Sequence, residues 1–93
     1  MQRFEIVVVG GGTMGSGAAW ALGKRGVAAL VLEQFGHVHQ LGSHGGKTRI
    51  IRQAYAEGAE YVPLVGRAAA LWTELAETTA LRLLHRTGGL DLA

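Results

Sequence analysis

The chain has 93 residues, 48% hydrophobic, with 9 basic against 7 acidic residues, one proline and no cysteine. That length allows one domain at most. The balance excludes a disordered charged tail, a disulfide scaffold and a cysteine zinc site, and a net charge of +2 gives no basic stripe for nucleic acid.

Phe4 to Val9 is a continuous β-branched run, the pattern of a parallel strand buried on both faces. A glycine turn follows. Thr13 to Arg25 carries Met14, Ala18, Ala21 and Leu22 at helical spacing. Lys24 and Arg25 suit the negative end of that helix, and Gly26 is placed to cap it. Val27 to Glu33 reads as a second buried strand, completing a β-α-β unit. The apolar runs are far shorter than the ~20 residues of a membrane span. Arg3 and Ala19-Trp20-Ala21 imitate a signal peptide, but Glu5 and the early glycines argue against one, so the cytoplasm is expected.

Gln34 to Gly46 lacks periodicity and reads as a long, functional loop. Thr48 to Tyr55 fits a short helix or an extended segment equally. Glu60 to Thr79 predicts an amphipathic helix with Val62, Val65, Ala69, Trp72, Leu75 and Ala76 on one face. Leu81 to His85 and Gly89 to Ala93 are expected to form short strands around Thr87-Gly88. Trp20 and Trp72 are expected to pack in the core.

Two motifs carry chemistry. Gly10-Gly11-Gly12-Thr13-Met14-Gly15 fits G-x-G-x-x-G between a strand and a helix, with Glu33 ending the next strand at the required distance. Gly10 permits the tight turn, Gly12 lets backbone meet a pyrophosphate, and Gly15 lets the helix pack closely. The helix start at Thr13 and Met14 aims N–H groups at the phosphates. Glu33 is placed to accept from an adenosine ribose and to repel a 2′-phosphate, which disfavours NADP. The motif does not separate FAD from NAD. The second motif is basic: Arg49 and Arg52, three apart, would share one face of a helix and suit carboxylate binding or stabilisation of developing negative charge. A solvated basic surface is the plainer reading. His37, His39 and His44 lack the spacing and acids of a metal site. His39 reads as a loop contact to a cofactor or as an exposed histidine.

Ile6-Val7-Val8-Val9-Gly10, Gly42-Ser43-His44, Thr48-Arg49-Ile50-Ile51-Arg52, Ala54-Tyr55, Glu60-Tyr61-Val62-Pro63-Leu64 and Leu71-Trp72 together carry a resemblance that spans residues 1 to about 89. On these stretches the chain resembles the N-terminus of the monomeric sarcosine oxidase family, which includes N-methyltryptophan and pipecolate oxidases among the D-amino-acid-oxidase-like flavoproteins. It departs from the family at Gly45, where a histidine is usual, and at Lys47. The resemblance implies FAD, and oxidation of the C–N bond of a secondary or N-methyl amino acid by oxygen, giving hydrogen peroxide. It places Arg49 against the isoalloxazine ring as the catalytic cation and Arg52 on the substrate carboxylate. Tyr55 would border the substrate, and Gly42, Ser43, Thr48 and Ile50 would line the flavin site. The implied fold is a Rossmann-like α/β unit, incomplete, with dinucleotide binding in 1–35, a flavin and substrate loop in 36–58, and a helix with the start of further strands in 59–93. An amino-acid substrate and oxygen are the implied partners, with no nucleic acid or membrane and a monomer in the full-length family. An NAD-dependent dehydrogenase of hydroxyacyl-CoA type and an inactive truncated module stay open as alternatives.

Overall fold

The computed structural model describes residues 1–54 and 57–92. It divides them into two compact units, Met1–Thr48 and Arg49–Ala93. Four elements run in the order β1 (Ile6–Val9), α1 (Thr13–Lys24), β2 (Ala29–Leu32) and α2 (Tyr61–Thr79).

In the first unit β1 and β2 pair in parallel, with Ile6 opposite Ala29 and Val9 opposite Leu32. The Ile-Val-Val-Val run prefers extended backbone because its branched side chains restrict χ1. α1 makes the crossover and packs against both strands. Its end is a Schellman motif: the Val27 N–H donates to Leu22 O at 3.1 Å, the Gly26 N–H donates to Gly23 O at 3.0 Å, and Gly26 sits at φ +70°. Gly26 thus caps the helix as its sequence predicts.

Both strands are shorter than their apolar runs. Phe4 and Glu5 precede β1, although the Glu5 N–H still donates to Ala28 O at 2.8 Å. Val27, Ala28 and Glu33 flank β2. The strands are also not buried on both faces as their composition predicts: Val7 keeps 52% and Val9 85% of its surface exposed. Within the first unit, among the described residues, the two-stranded ribbon carries one helix, which leaves one face without cover from that unit and two edges without a ladder partner.

In the second unit α2 is entered through a turn in which the Tyr61 N–H donates to Gly58 O and the Val62 N–H to Ala59 O, each at 3.2 Å. Pro63 falls in the first turn, where its missing N–H removes no helical bond. Helical periodicity is realised as predicted, and Ala69 on the apolar face is buried. Trp72, expected in the core, remains 42% exposed, while Trp20 is half-buried with the Lys24 ammonium 4.6 Å above its ring. α2 ends at Ala80, a non-glycine residue in the left-handed region at φ 56°. Residues 81–92 form neither helix nor strand, so the two predicted terminal strands do not form over the described residues. Extended sequence becomes a strand only with a ladder partner. Among the described residues no helix is long and apolar enough to cross a membrane.

Candidate functional site: a glycine turn facing a helix start

The turn between β1 and α1 is shaped by its glycines. The Gly10 N–H donates to Leu32 O at 2.7 Å, tying the turn to the end of β2, and Gly10 sits at φ +98°, where a side chain is strained. At Gly15 a Cβ would overlap the Gly10 carbonyl and come within 3.3 Å of Val8 Cγ1. Gly15 is therefore what lets α1 approach β1. At Gly12 a Cβ would meet nothing within 4 Å, so the space above this backbone is open. Gly12 is also the N-cap residue of α1, makes no side-chain cap, and no acid lies in the first turn. The N–H groups of Thr13, Met14 and Gly15 thus start a helix with no side chain satisfying them, and the helix dipole adds positive potential there. The Ser16 hydroxyl donates to Gly11 O at 2.9 Å and braces the turn from the helix side.

Glu33 follows β2 directly and reaches back to this turn. The Gly11 N–H donates to Glu33 Oε2 at 2.8 Å, and the Phe35 N–H donates to Oε1 at 3.3 Å. His39 Nε2 lies 3.3 Å from the same Oε1. The backbone donors Gly11 and then Phe35 hold the Glu33 pKa below its ordinary value against a smaller opposing effect of desolvation, and His39 adds to the lowering. Glu33 is accordingly a carboxylate with an assigned orientation.

Between the turn and the following loop lies a cavity of about 300 Å³. Gly11, Gly12, Thr13 and Ser16 line one side, and His37, Val38, His39, Gly42, Ser43 and His44 the other. Of the residues singled out from sequence, Gly12, Thr13, His39, Gly42 and Ser43 meet here, while Gly10, Gly15 and Glu33 shape the turn behind them. Met14 is 87% exposed and is not part of the lining. Ser16, His37 and His44 were not expected in a cofactor site. Ser16 was detectable, since it lies one turn after Thr13 on the same helix face. Among the described residues no cluster of three or more His, Asp or Glu could hold a metal ion.

Arg49 and Arg52 lie in the second unit, while Lys47 and Thr48 end the first. Residues 49–54 form no helix, so Arg49 and Arg52 do not share a helix face. The Arg52 guanidinium donates to Glu57 Oε1 at 3.3 Å, with both side chains about half exposed. A second cavity, of about 600 Å³, is lined by Ile50, Ile51 and Arg52 with residues 84–91 and Ala69. Arg49 is exposed, and Tyr55 lies outside the described residues.

Residues 5–93 match the family described as DAO, FAD dependent oxidoreductase. The chain belongs to this family. It is 48% identical over 88 residues to monomeric sarcosine oxidase of Bacillus sp. (strain B-0618), covering 95% of this chain and 23% of that protein. It is 47% identical over 89 residues to monomeric sarcosine oxidase of Arthrobacter sp. (strain TE1826), covering 96% and 23%. It is 43% identical over 89 residues to N-methyl-L-tryptophan oxidase of Yersinia pestis (strain Pestoides F), covering 96% and 24%. The chain thus spans about a quarter of the length of the curated relatives it matches. Membership of the DAO family makes FAD the cofactor and disfavours the NAD-dependent alternative. The first unit fits the ADP portion of FAD on its own geometry: open backbone at Gly12, an uncapped helix start, and an ionised Glu33 beside Gly11.

Proposed function

We propose that this chain supplies the dinucleotide end of an FAD-dependent oxidase acting on the C–N bond of a secondary or N-methyl amino acid. The open backbone at Gly12 above an uncapped helix start carries the cofactor half of this reading. The names of the relatives support the substrate half. Bound FAD would accept the hydride from the amine and pass the electrons to oxygen, giving hydrogen peroxide.

The chain's own residues have separate tasks. The N–H groups of Thr13, Met14 and Gly15 hold the pyrophosphate, where a helix N-terminus favours anions. Glu33 accepts hydrogen bonds from the adenosine ribose. Gly42 and Ser43, which line the same cavity as Gly12, flank the cofactor. Arg49 stabilises negative charge at the ring as the substrate is oxidised. Arg52 exchanges its exposed Glu57 partner for the substrate carboxylate, and the imine product leaves for hydrolysis by water. The exchange is cheap, because an exposed ion pair is worth only about 0–1 kcal/mol.

Replacing Arg52 tests this assignment. In the purified flavoprotein, Arg52→Ala raises KM for an N-methyl amino acid by about 10²-fold, the loss of ~3 kcal/mol of charge-assisted contact, and leaves flavin content unchanged. Arg52→Lys recovers part of the loss, since an ammonium lacks the planar fork. A wild type that oxidises the decarboxylated amine as readily as the amino acid would remove Arg52 from this role.

A further inference from the structure

We propose that His39 is a positioning residue for the cofactor's ribose, acting through Glu33. The inference rests on the reading of the glycine turn as an FAD site.

The geometry assigns the imidazole both its proton and its orientation. The Leu41 N–H donates to His39 Nδ1 at 3.0 Å, so Nδ1 is the unprotonated acceptor. The proton therefore sits on Nε2, which faces Glu33 Oε1 at 3.3 Å. The Phe35 ring meets the imidazole edge-on, with centroids 5.1 Å apart and planes at 74°, and this limits rotation of the ring. The histidine thus joins Leu41 and Phe35 of the loop to the carboxylate that follows β2.

Counting acceptor sites shows the consequence. A carboxylate offers about four lone-pair sites, two on each oxygen. Among the described residues Oε1 has two donors beside it, the Phe35 N–H and His39 Nε2, each at 3.3 Å, while Oε2 takes only the Gly11 N–H. The remaining acceptor site lies on Oε2, the oxygen next to Gly11, and Gly11 lines the cavity. By saturating Oε1, His39 leaves Oε2 as the oxygen that meets a ribose hydroxyl. Without His39 the carboxylate keeps its backbone donors but loses the side-chain clamp across Oε1, and the loop carrying Gly42 and Ser43 loses its tie to β2.

The test is FAD and ADP titration of the purified apoprotein, read by flavin fluorescence and by calorimetry, with no turnover involved. His39→Ala weakens FAD and ADP by the same factor, about tenfold, as expected for loss of one hydrogen bond to a charged group. His39→Gln places an amide donor near the Nε2 position and restores most of the affinity. His39→Asn keeps an acceptor near Nδ1 for Leu41 but cannot reach Glu33, and it behaves like His39→Ala. In a Glu33→Gln background, His39→Ala has little further effect, because the two act as a pair. If Asn rescues and Gln does not, the histidine serves only the Leu41 turn and the proposal fails. Wild-type affinity in His39→Ala also overturns it, while leaving the FAD site intact. Absence of FAD binding by the wild type would overturn the site reading itself.

Discussion

The two units of this chain are held by different kinds of interaction. In Met1–Thr48 nearly every joint is backbone to backbone or side chain to backbone: Gly10 to Leu32, Gly11 to Glu33, Val27 to Leu22, Leu41 to His39. In Arg49–Ala93 the long helix α2 has one buried residue, Ala69, and its charged segment is tied by an exposed ion pair between Arg52 and Glu57. The first unit therefore builds a site from short-range geometry, while the second offers charges whose value depends on the ligand they meet. Cofactor binding should be sensitive to backbone changes in the first unit, and substrate selection to charge changes in the second.

The largest expected effect is at Gly15. Gly15→Val drives a side chain into the Gly10 carbonyl and Val8, so α1 must move off β1. Purified Gly15→Val should contain almost no flavin and should melt well below wild type, as read by circular dichroism and the flavin spectrum. Retained flavin and an unchanged melt would remove the close helix–strand approach from the account. Arg52→Ala comes next and should leave flavin content untouched while raising KM, which is the opposite pattern and separates the units.

A smaller effect concerns Glu33. Its pKa is lowered in the folded chain, chiefly by the Gly11 N–H and then by the Phe35 N–H. A depressed folded pKa means the stabilisation is full above the ordinary glutamate value of about 4.3 and is lost as pH falls through the lowered one. Thermal melts across the acid range should show Glu33→Gln flattening that part of the profile. An identical acid limb in wild type and variant would contradict it. The smallest effect is at Ala80, whose left-handed backbone costs about 1–2 kcal/mol for a non-glycine residue. Ala80→Gly should stabilise the end of α2 by about 0.5–1 kcal/mol after the glycine's own entropy cost, a rise of a few degrees in Tm.

The same division explains what could be read from the sequence. β1, α1, β2 and α2 were legible because each depends on local pattern: a β-branched run, helical spacing, or a glycine that ends a turn. Glu33 was legible because its distance from the glycine turn is set by the length of one helix and one strand. Burial was not legible. Val7 and Val9 have the composition of strands covered on both faces, yet periodicity reports which residues need cover, not which residues supply it. Leu81 to His85 reads as a strand for the same reason and has no ladder partner over the described residues. Arg49 and Arg52 would share a face only on a helix, the sequence left helix and extended backbone open there, and residues 49–54 form no helix, because residue spacing carries meaning only once the backbone is known. The tie from His39 to Glu33 escaped a pattern reading altogether, since it depends on how a loop folds back.

The central claim is that the open backbone at Gly12 is where the cofactor's pyrophosphate binds. The most direct measurement is FAD titration of Gly12→Val beside its thermal melt without FAD. A Cβ at Gly12 has nothing within 4 Å to disturb, so the fold should accept the change while the pyrophosphate should not. The account predicts an unchanged apoprotein melt and no measurable FAD binding. Wild-type FAD affinity in Gly12→Val would contradict it.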